Sequence, residues 1–283
     1  LQPDEEVLIE QAVSLAKEVD AVVMVVGTNS DWETEGNDRS TLQLPGDQDE
    51  LIDRVVKANP NTVIVVNTGS PISMPWIKDA KSILQCWFPG QEFGNALYNI
   101  LFGEVNPSGK LPTTFPKSLK DTPAFNHYPG ENLQMDYLEE IFVGYRWYEK
   151  EKIKPLFPFG FGLSYTSFEY SNLRIIPPKQ EDSAIAFSFK VTNTGGIRGK
   201  EATQCYVSVH NSSIERAPKE LKRFSKVDLD VGGTKGLTVE LNERDLSYWN
   251  ESAGSWAVEP AEYRIHVGGS SEETPLEAST WLG

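Results

Sequence analysis

Through residues 5–18 the apolar side chains Val7, Leu8, Ala12, Leu15 and Ala16 recur at helical spacing among polar ones. That periodicity predicts an amphipathic helix. Residues 21–27 then form an unbroken, valine-rich apolar run, the pattern of a strand buried on both faces of a parallel sheet. Leu51, Ile52, Val55 and Val56 predict a second helix over 49–58, halted at Asn59-Pro60. Residues 62–67 and 83–88 read as two more buried strands, and 93–102 as another helix. Strands alternating with helices imply right-handed βαβ units, hence an α/β layered sandwich with a mostly parallel sheet.

From about Phe168 the pattern changes. Short alternating segments at 184–191, 203–209, 238–241 and 263–267 are separated by turn signals such as Asn193-Thr194-Gly195-Gly196 and Gly232-Gly233. Several short strands with turns between them predict an all-β sandwich of the fibronectin type III kind. Between the two regimes, residues 155–165 mix proline and glycine with Phe157, Phe159, Phe161 and Tyr165. Proline and glycine argue against a regular element there, and the aromatics favour burial. The expected division is an α/β domain over 1–155, a packed connector over 156–166 and a β-sandwich over 167–283.

Composition narrows the partners. A length of 283 residues suffices for two cores. The 7 Trp, 10 Tyr and 13 Phe argue against a disordered chain. A net charge of −15 repels phosphate backbones and anionic bilayers, so neither nucleic acid nor membrane is an expected partner. A neutral sugar is not repelled. The two cysteines, Cys86 and Cys205, make no disulfide framework, and each sits in an apolar run that reads as a buried strand thiol. No metal-ligand spacing is visible, and the three histidines share no motif; His266 reads as an exposed strand residue. The longest apolar run is far too short to span a bilayer. The chain begins with Leu1 and shows no signal-peptide pattern, which leaves a processed or cleaved piece as the expectation. Two sequons, Asn211-Ser212-Ser213 and Asn250-Glu251-Ser252, are compatible with secretion, although the localisation stays open.

The informative chemistry follows the first strand. Residues 28–39 hold four carboxylates (Asp31, Glu33, Glu35, Asp38) and Trp32, and lead into Leu44-Pro45-Gly46. A βα loop usually has about 2–6 residues, so this one is long. In open α/β sheets ligands bind at the carboxyl ends of strands, and this loop leaves one. A tryptophan flanked by carboxylates suits a sugar, whose ring face stacks on an aromatic while its hydroxyls bond to the acids. On residues alone, a solvated acidic loop with Trp32 tucked against the sheet is the plainer reading. Glycoside hydrolysis needs two carboxyl groups flanking the scissile bond. Glu33 and Glu35 are too close in sequence to make a convincing complete pair.

Glu33-Thr34-Glu35-Gly36-Asn37-Asp38-Arg39 with Leu44-Pro45 resembles the acid/base loop of family 3 β-glucosidases. Similar matches follow in the family's order. They are Asn67-Thr68-Gly69-Ser70-Pro71, Pro89-Gly90-Gln91-Glu92-Phe93-Gly94-Asn95-Ala96, and Leu101-Phe102-Gly103-Glu104-Val105-Asn106-Pro107-Ser108-Gly109-Lys110-Leu111-Pro112. Later come Gly144-Tyr145-Arg146-Trp147-Tyr148, Phe157-Pro158-Phe159-Gly160-Phe161-Gly162-Leu163-Ser164-Tyr165 and Pro218-Lys219-Glu220-Leu221. One such motif is weak, whereas the ordered set covers most of the chain and is specific.

The resemblance implies that this is the C-terminal part of a larger glycoside hydrolase: the end of an α/β sandwich, then a fibronectin type III-like domain. An N-terminal (β/α)₈ barrel of the same enzyme, outside this sequence, would carry the aspartate nucleophile and most sugar contacts. Glu35 would be the general acid/base of a retaining β-glucosidase that removes terminal β-D-glucosyl residues. Its task requires a raised proton affinity, expected from burial beside Trp32 and neighbouring acids. Asp31, Trp32 and Glu33 would border the substrate. Arg39 would support the loop by pairing with a carboxylate. The expected partners are a β-glucoside or oligosaccharide and the barrel segment; a homo-oligomer is compatible, and no metal or organic cofactor is needed. The alternative is a non-catalytic carbohydrate-binding or structural module.

Overall fold

The computed structural model describes residues 5–180 and 182–283, so the first four residues of the expected first domain lie outside it. Two compact units result, one formed by Leu1–Leu97 with Phe115–Thr122, the other by Tyr98–Thr114 with Pro123–Gly283.

The first unit contains α1 (Glu5–Glu18), β1 (Val22–Gly27), α2 (Gln48–Ala58), β2 (Thr62–Asn67), β3 (Ser82–Gln85), the start of α3 (Phe93–Leu101) and a short 3₁₀ turn (Leu119–Asp121). The three strands form a parallel sheet in the order β1-β2-β3, with Val22 opposite Thr62 and Gly27 opposite Asn67. β2 lies in the centre, and Ile64, Val65 and Val66 are fully buried. The expectation that β1 is buried on both faces is not met. Met24 and Val26 are buried, but Val23 and Val25 are 51% and 54% exposed. Successive side chains on a strand point to opposite faces. β1 is an edge strand, and nothing among the described residues covers its second face. The third strand is also shorter than expected. It ends at Gln85 because Trp87 takes a left-handed backbone (φ 55°), although the Cys86 amide still donates to the Val66 carbonyl at 2.8 Å. Cys86 is therefore half-buried beyond a strand end, and burial pushes its thiol pKa up.

The second unit contains the rest of α3, α4 (Tyr145–Lys150), β4 (Phe168–Ile176), β5 (Ser183–Asn193), β6 (Gly199–His210), β7 (Glu220–Leu229), β8 (Thr234–Asn242), α5 (Glu243–Leu246), β9 (Tyr248–Asn250), β10 (Ser255–Ala257), β11 (Ala261–Gly268) and β12 (Leu276–Leu282). Two antiparallel sheets, β12-β11-β6-β7 and β4-β5-β8, enclose a core that includes Phe187, Phe189, Val207, Leu241, Tyr263 and Ile265; β9 and β10 pair separately. Cys205 is buried in β6, which pushes its thiol up to about 12. This is the strand thiol expected from its apolar run.

Residues 123–155, expected with the α/β domain, pack in this unit. The Tyr145 ring stacks on Phe159 with centroids 5.0 Å apart and meets Tyr206 edge-on at 5.8 Å. Its hydroxyl accepts from the Leu221 amide at 2.8 Å, while Arg146 pairs with Glu220 at 3.2 Å and Lys219 with Glu149 at 3.0 Å. Aromatic area draws the segment onto the sandwich. The connector is packed as well. The Gly160 amide donates to the Leu111 carbonyl and the Leu111 amide to the Phe161 carbonyl, each at 2.8 Å, and the Gln204 side-chain amide donates to the Gly160 carbonyl at 3.1 Å. Gly160 has φ 81°, and any side chain there would collide with Gln204, so glycine is required on both counts.

His266 is half-buried, contrary to the exposed position expected from alternation, and bonds to Ser208 at 2.8 Å. Burial lowers its pKa from the ordinary 6.5, and the cationic Lys219 and Arg264 act in the same direction against the opposing pull of Glu277. The unfolded chain therefore binds more protons just below pH 6.5, and stability rises with pH across that window. Urea unfolding at pH 5.5 and 7.5 should show a smaller pH dependence in His266→Gln than in the parent chain; an unchanged slope would exclude this residue as its source.

Candidate active-site loop

β1, β2 and β3 are parallel, so their carboxyl ends share one edge, where side chains tie the strands together. Gln48, at the start of α2, accepts from the Gly27 amide (2.8 Å) and donates to the Gly27 and Pro45 carbonyls (both 3.0 Å), closing the base of the loop between them. Gln85 donates to the carbonyl and hydroxyl of Thr68, both at 3.1 Å.

The loop itself begins with a turn set by Asn29. Its side-chain oxygen accepts from the amides of Asp31 (3.0 Å) and Trp32 (3.1 Å), and its carbonyl accepts from Glu33 (2.9 Å). Asparagine favours such turns because its side chain mimics a backbone acceptor. The turn carries Glu33 back over the sheet edge, where Oε1 accepts from the Thr28 hydroxyl at 2.5 Å and the Gly69 amide at 3.0 Å. Further along, Arg39 Nη2 donates to the Pro71 carbonyl at 3.4 Å, and the Ser73 amide donates to the Leu42 carbonyl at 2.8 Å. The loop is thus stitched at Glu33, Arg39 and Leu42 to residues 69–73, the segment that leaves β2. Gly69 faces both the Glu33 carboxylate and the Phe88 ring, and an added Cβ would overlap them.

Between the stitches at Glu33 and Arg39, residues 34–38 arch outward and are all exposed, turning at Gly36 with φ 83°. Glu35 stands in this arch. It is exposed, and no hydrogen-bond or ion-pair partner for it occurs among the described residues. The expected burial of Glu35 beside Trp32 is absent, because the arch projects beyond the unit that anchors its feet. Asp31 is exposed on the turn. Trp32 is half-buried, with its indole N–H enclosed and unpartnered. Arg39 also has an enclosed unpartnered nitrogen, Nη1, and its Nη2 bonds to a backbone carbonyl where a carboxylate was expected. The five predicted residues share one loop, but the loop separates a fixed carboxylate, Glu33, from a free one, Glu35. Sequence reasoning passed over Phe88, an exposed aromatic beside Gly69 and Glu33. Its signal was an aromatic at the end of the expected strand 83–88 and directly before Pro89-Gly90, a place where a chain turns at the ligand-binding edge of a sheet.

Among the described residues, no group of three or more His, Cys, Asp or Glu is placed to hold a metal, and no helix is long and apolar enough to cross a membrane.

Residues 4–165 match the glycosyl hydrolase family 3 C-terminal domain, and residues 201–271 the fibronectin type III-like domain. The chain is 45% identical over 274 residues to a putative β-glucosidase of Schizosaccharomyces pombe, covering 96% of this chain and 33% of that protein. It is 44% identical to thermostable β-glucosidase B of Acetivibrio thermocellus, covering 98% of this chain and 37% of that one. The crystal structure of the Kluyveromyces marxianus β-glucosidase in complex with glucose superposes with a TM-score of 0.92 at 44% identity, over 99% of this chain and 34% of that one. The chain spans about a third of the length of these relatives.

Proposed function

The chain belongs to glycoside hydrolase family 3, and on that premise we propose that it is the C-terminal part of a retaining β-glucosidase in which Glu35 is the general acid/base. The observation that carries the assignment is the arch. Glu33 spends Oε1 on Thr28 and Gly69, so it is held against the sheet edge, while Glu35 is presented without a partner between two anchored feet. A proton-transfer group must reach the leaving oxygen, and the free carboxylate is the one able to do so. Glu33 keeps Oε2 for a sugar hydroxyl, and Asp31 and Trp32 border the same turn. Arg39 acts on the loop's shape through Pro71.

The nucleophile is proposed to lie on the N-terminal segment that the longer relatives carry. It attacks the anomeric carbon while Glu35 protonates the departing oxygen. Glu35 then takes a proton from the water that opens the glycosyl-enzyme, and two inversions give net retention. Glu35 is exposed in this chain, so its enclosure is assigned to the N-terminal segment that the longer relatives carry. Cellobiose and aryl β-glucosides are the proposed substrates, the former giving the enzyme a part in cellulose breakdown.

The test separates the two segments. Purified chain is assayed with an aryl β-glucoside, alone and joined to the N-terminal segment of a relative. Turnover is expected only for the joined protein, and Glu35→Gln should remove it. Hydrolysis by the chain alone would overturn the proposal.

A further inference from the structure

The β-sandwich carries a second feature that the acid/base loop does not use. β12 alternates strictly, with Leu276, Ala278, Thr280 and Leu282 turned inward and Glu277, Ser279 and Trp281 outward. Trp281 is consequently 65% exposed on an edge strand, although the sandwich core has inward positions for aromatics. Strand register places Trp281 opposite Glu262 on β11 and Glu262 opposite His210 on β6. The next row on the same face is Ser279, Arg264 and Ser208, about 7 Å along the strands. Two cavities of about 460 and 450 Å³ open on these rows and share His210; Trp281, Glu262 and Ser279 line the first, Arg264, Ser208 and His266 the second. Together they make a groove crossing three strands.

The groove's chemistry is that of neutral, hydroxyl-rich ligands. Its two cations are already paired, Arg264 with Glu262 at 3.4 Å and Glu277 at 3.9 Å, and Lys219 with Glu149 at 3.0 Å, so no free positive charge is left to draw an anion. What remains is an indole face at one end and a run of hydroxyl, carboxylate and imidazole groups beside it. A tryptophan supplies an apolar platform, and the polar groups fix orientation. We infer that this outward face of the β12-β11-β6 strands binds a linear, neutral β-linked oligosaccharide, stacking one sugar ring on Trp281 and bonding the following ones to Glu262, Ser279 and Arg264. The kind of sugar rests on the β-glucosidase reading above; the site itself rests on the groove.

The chain is made in a bacterial host, which leaves the Asn211 sequon beside the groove bare, and titrated with cellopentaose by isothermal calorimetry. Saturable binding is expected, weakened about tenfold or more by Trp281→Ala, the usual loss at a central tryptophan. Glu262→Gln, which keeps the shape and alters the hydrogen bonding, should also weaken it, while Trp249→Ala, on the separate β9-β10 hairpin, should not. Absence of binding overturns the inference, as does binding that both groove variants leave unchanged, or that depends on Trp32 and not on Trp281. The titration requires no catalysis, so its failure is distinct from a failed turnover assay.

Discussion

In the complete enzyme, Glu35→Ala is expected to slow formation of the glycosyl-enzyme from cellobiose by about 10²–10⁴-fold, the usual share of general acid–base catalysis. The size of the loss should depend on the leaving group. A sugar alkoxide must be protonated as it departs, whereas dinitrophenolate leaves unaided, so a dinitrophenyl glucoside should enter the first step at nearly the parent rate. Its second step should still stall, because no base activates the water. Azide needs no base and should restore turnover, giving a β-glucosyl azide whose retained configuration reports an intact nucleophile. Pre-steady-state kinetics with both substrates, and product analysis with azide, check these outcomes. Equal slowing of both substrates with no response to azide would remove Glu35 from the role. Glu33 would be a poor replacement in this geometry, since its Oε1 is committed to Thr28 and Gly69.

Asn193→Ala should destabilise the β-sandwich by about 4 kcal/mol, roughly a thousandfold in its folding equilibrium, through the loss of four hydrogen bonds made by one fully buried side chain. The side chain is fully buried and uses all its main hydrogen-bonding capacity. Oδ1 accepts from the Thr166 hydroxyl (2.7 Å) and the Gly195 amide (3.1 Å), and Nδ2 donates to the carbonyls of Ile197 (2.8 Å) and Leu229 (3.1 Å). Truncation strands two donors and two acceptors at once. Asn193→Asp retains the acceptor and replaces the donor by a carboxylate facing two carbonyls, which raises the folded-state pKa of the new acid above its unfolded value. Its deficit relative to the parent chain should therefore shrink as pH falls and the acid becomes protonated. Urea unfolding at pH 7 and pH 4.5 measures both effects. A loss under 1 kcal/mol for the alanine variant would mean that water or a local shift replaces the four bonds.

Asn193 also marks the limit of reading this chain from its sequence. Asn193-Thr194-Gly195-Gly196 is legible as a turn, and a turn is there, but nothing in those four letters says that the asparagine is buried and joins Thr166, Ile197 and Leu229. Local signals specify local structure: helical spacing located α1 and α2 to within a residue, valine runs located β1 and β2, and alternation located β5, β6, β8 and β11 of the sandwich. Such patterns survive because each depends on which residues a segment must bury, a property of the segment itself. Burial by other segments is not. Val23 and Val25 look like core residues and face outward because no described segment covers that face of β1; His266 looks exposed and is half covered. The candidate site divides in the same way. The residue types in the long loop after β1 read more plainly as a solvated acidic loop, and it was the resemblance that singled out Glu35 as the expected acid/base. Which of two neighbouring glutamates is fixed and which is free depended on the Gly69 amide, 36 positions away in the chain, meeting Glu33 at the sheet edge. The parallel pairing of β1 with β2 decides that contact, since it brings both carboxyl ends to one edge, and pairing between distant strands is a property of the folded chain alone.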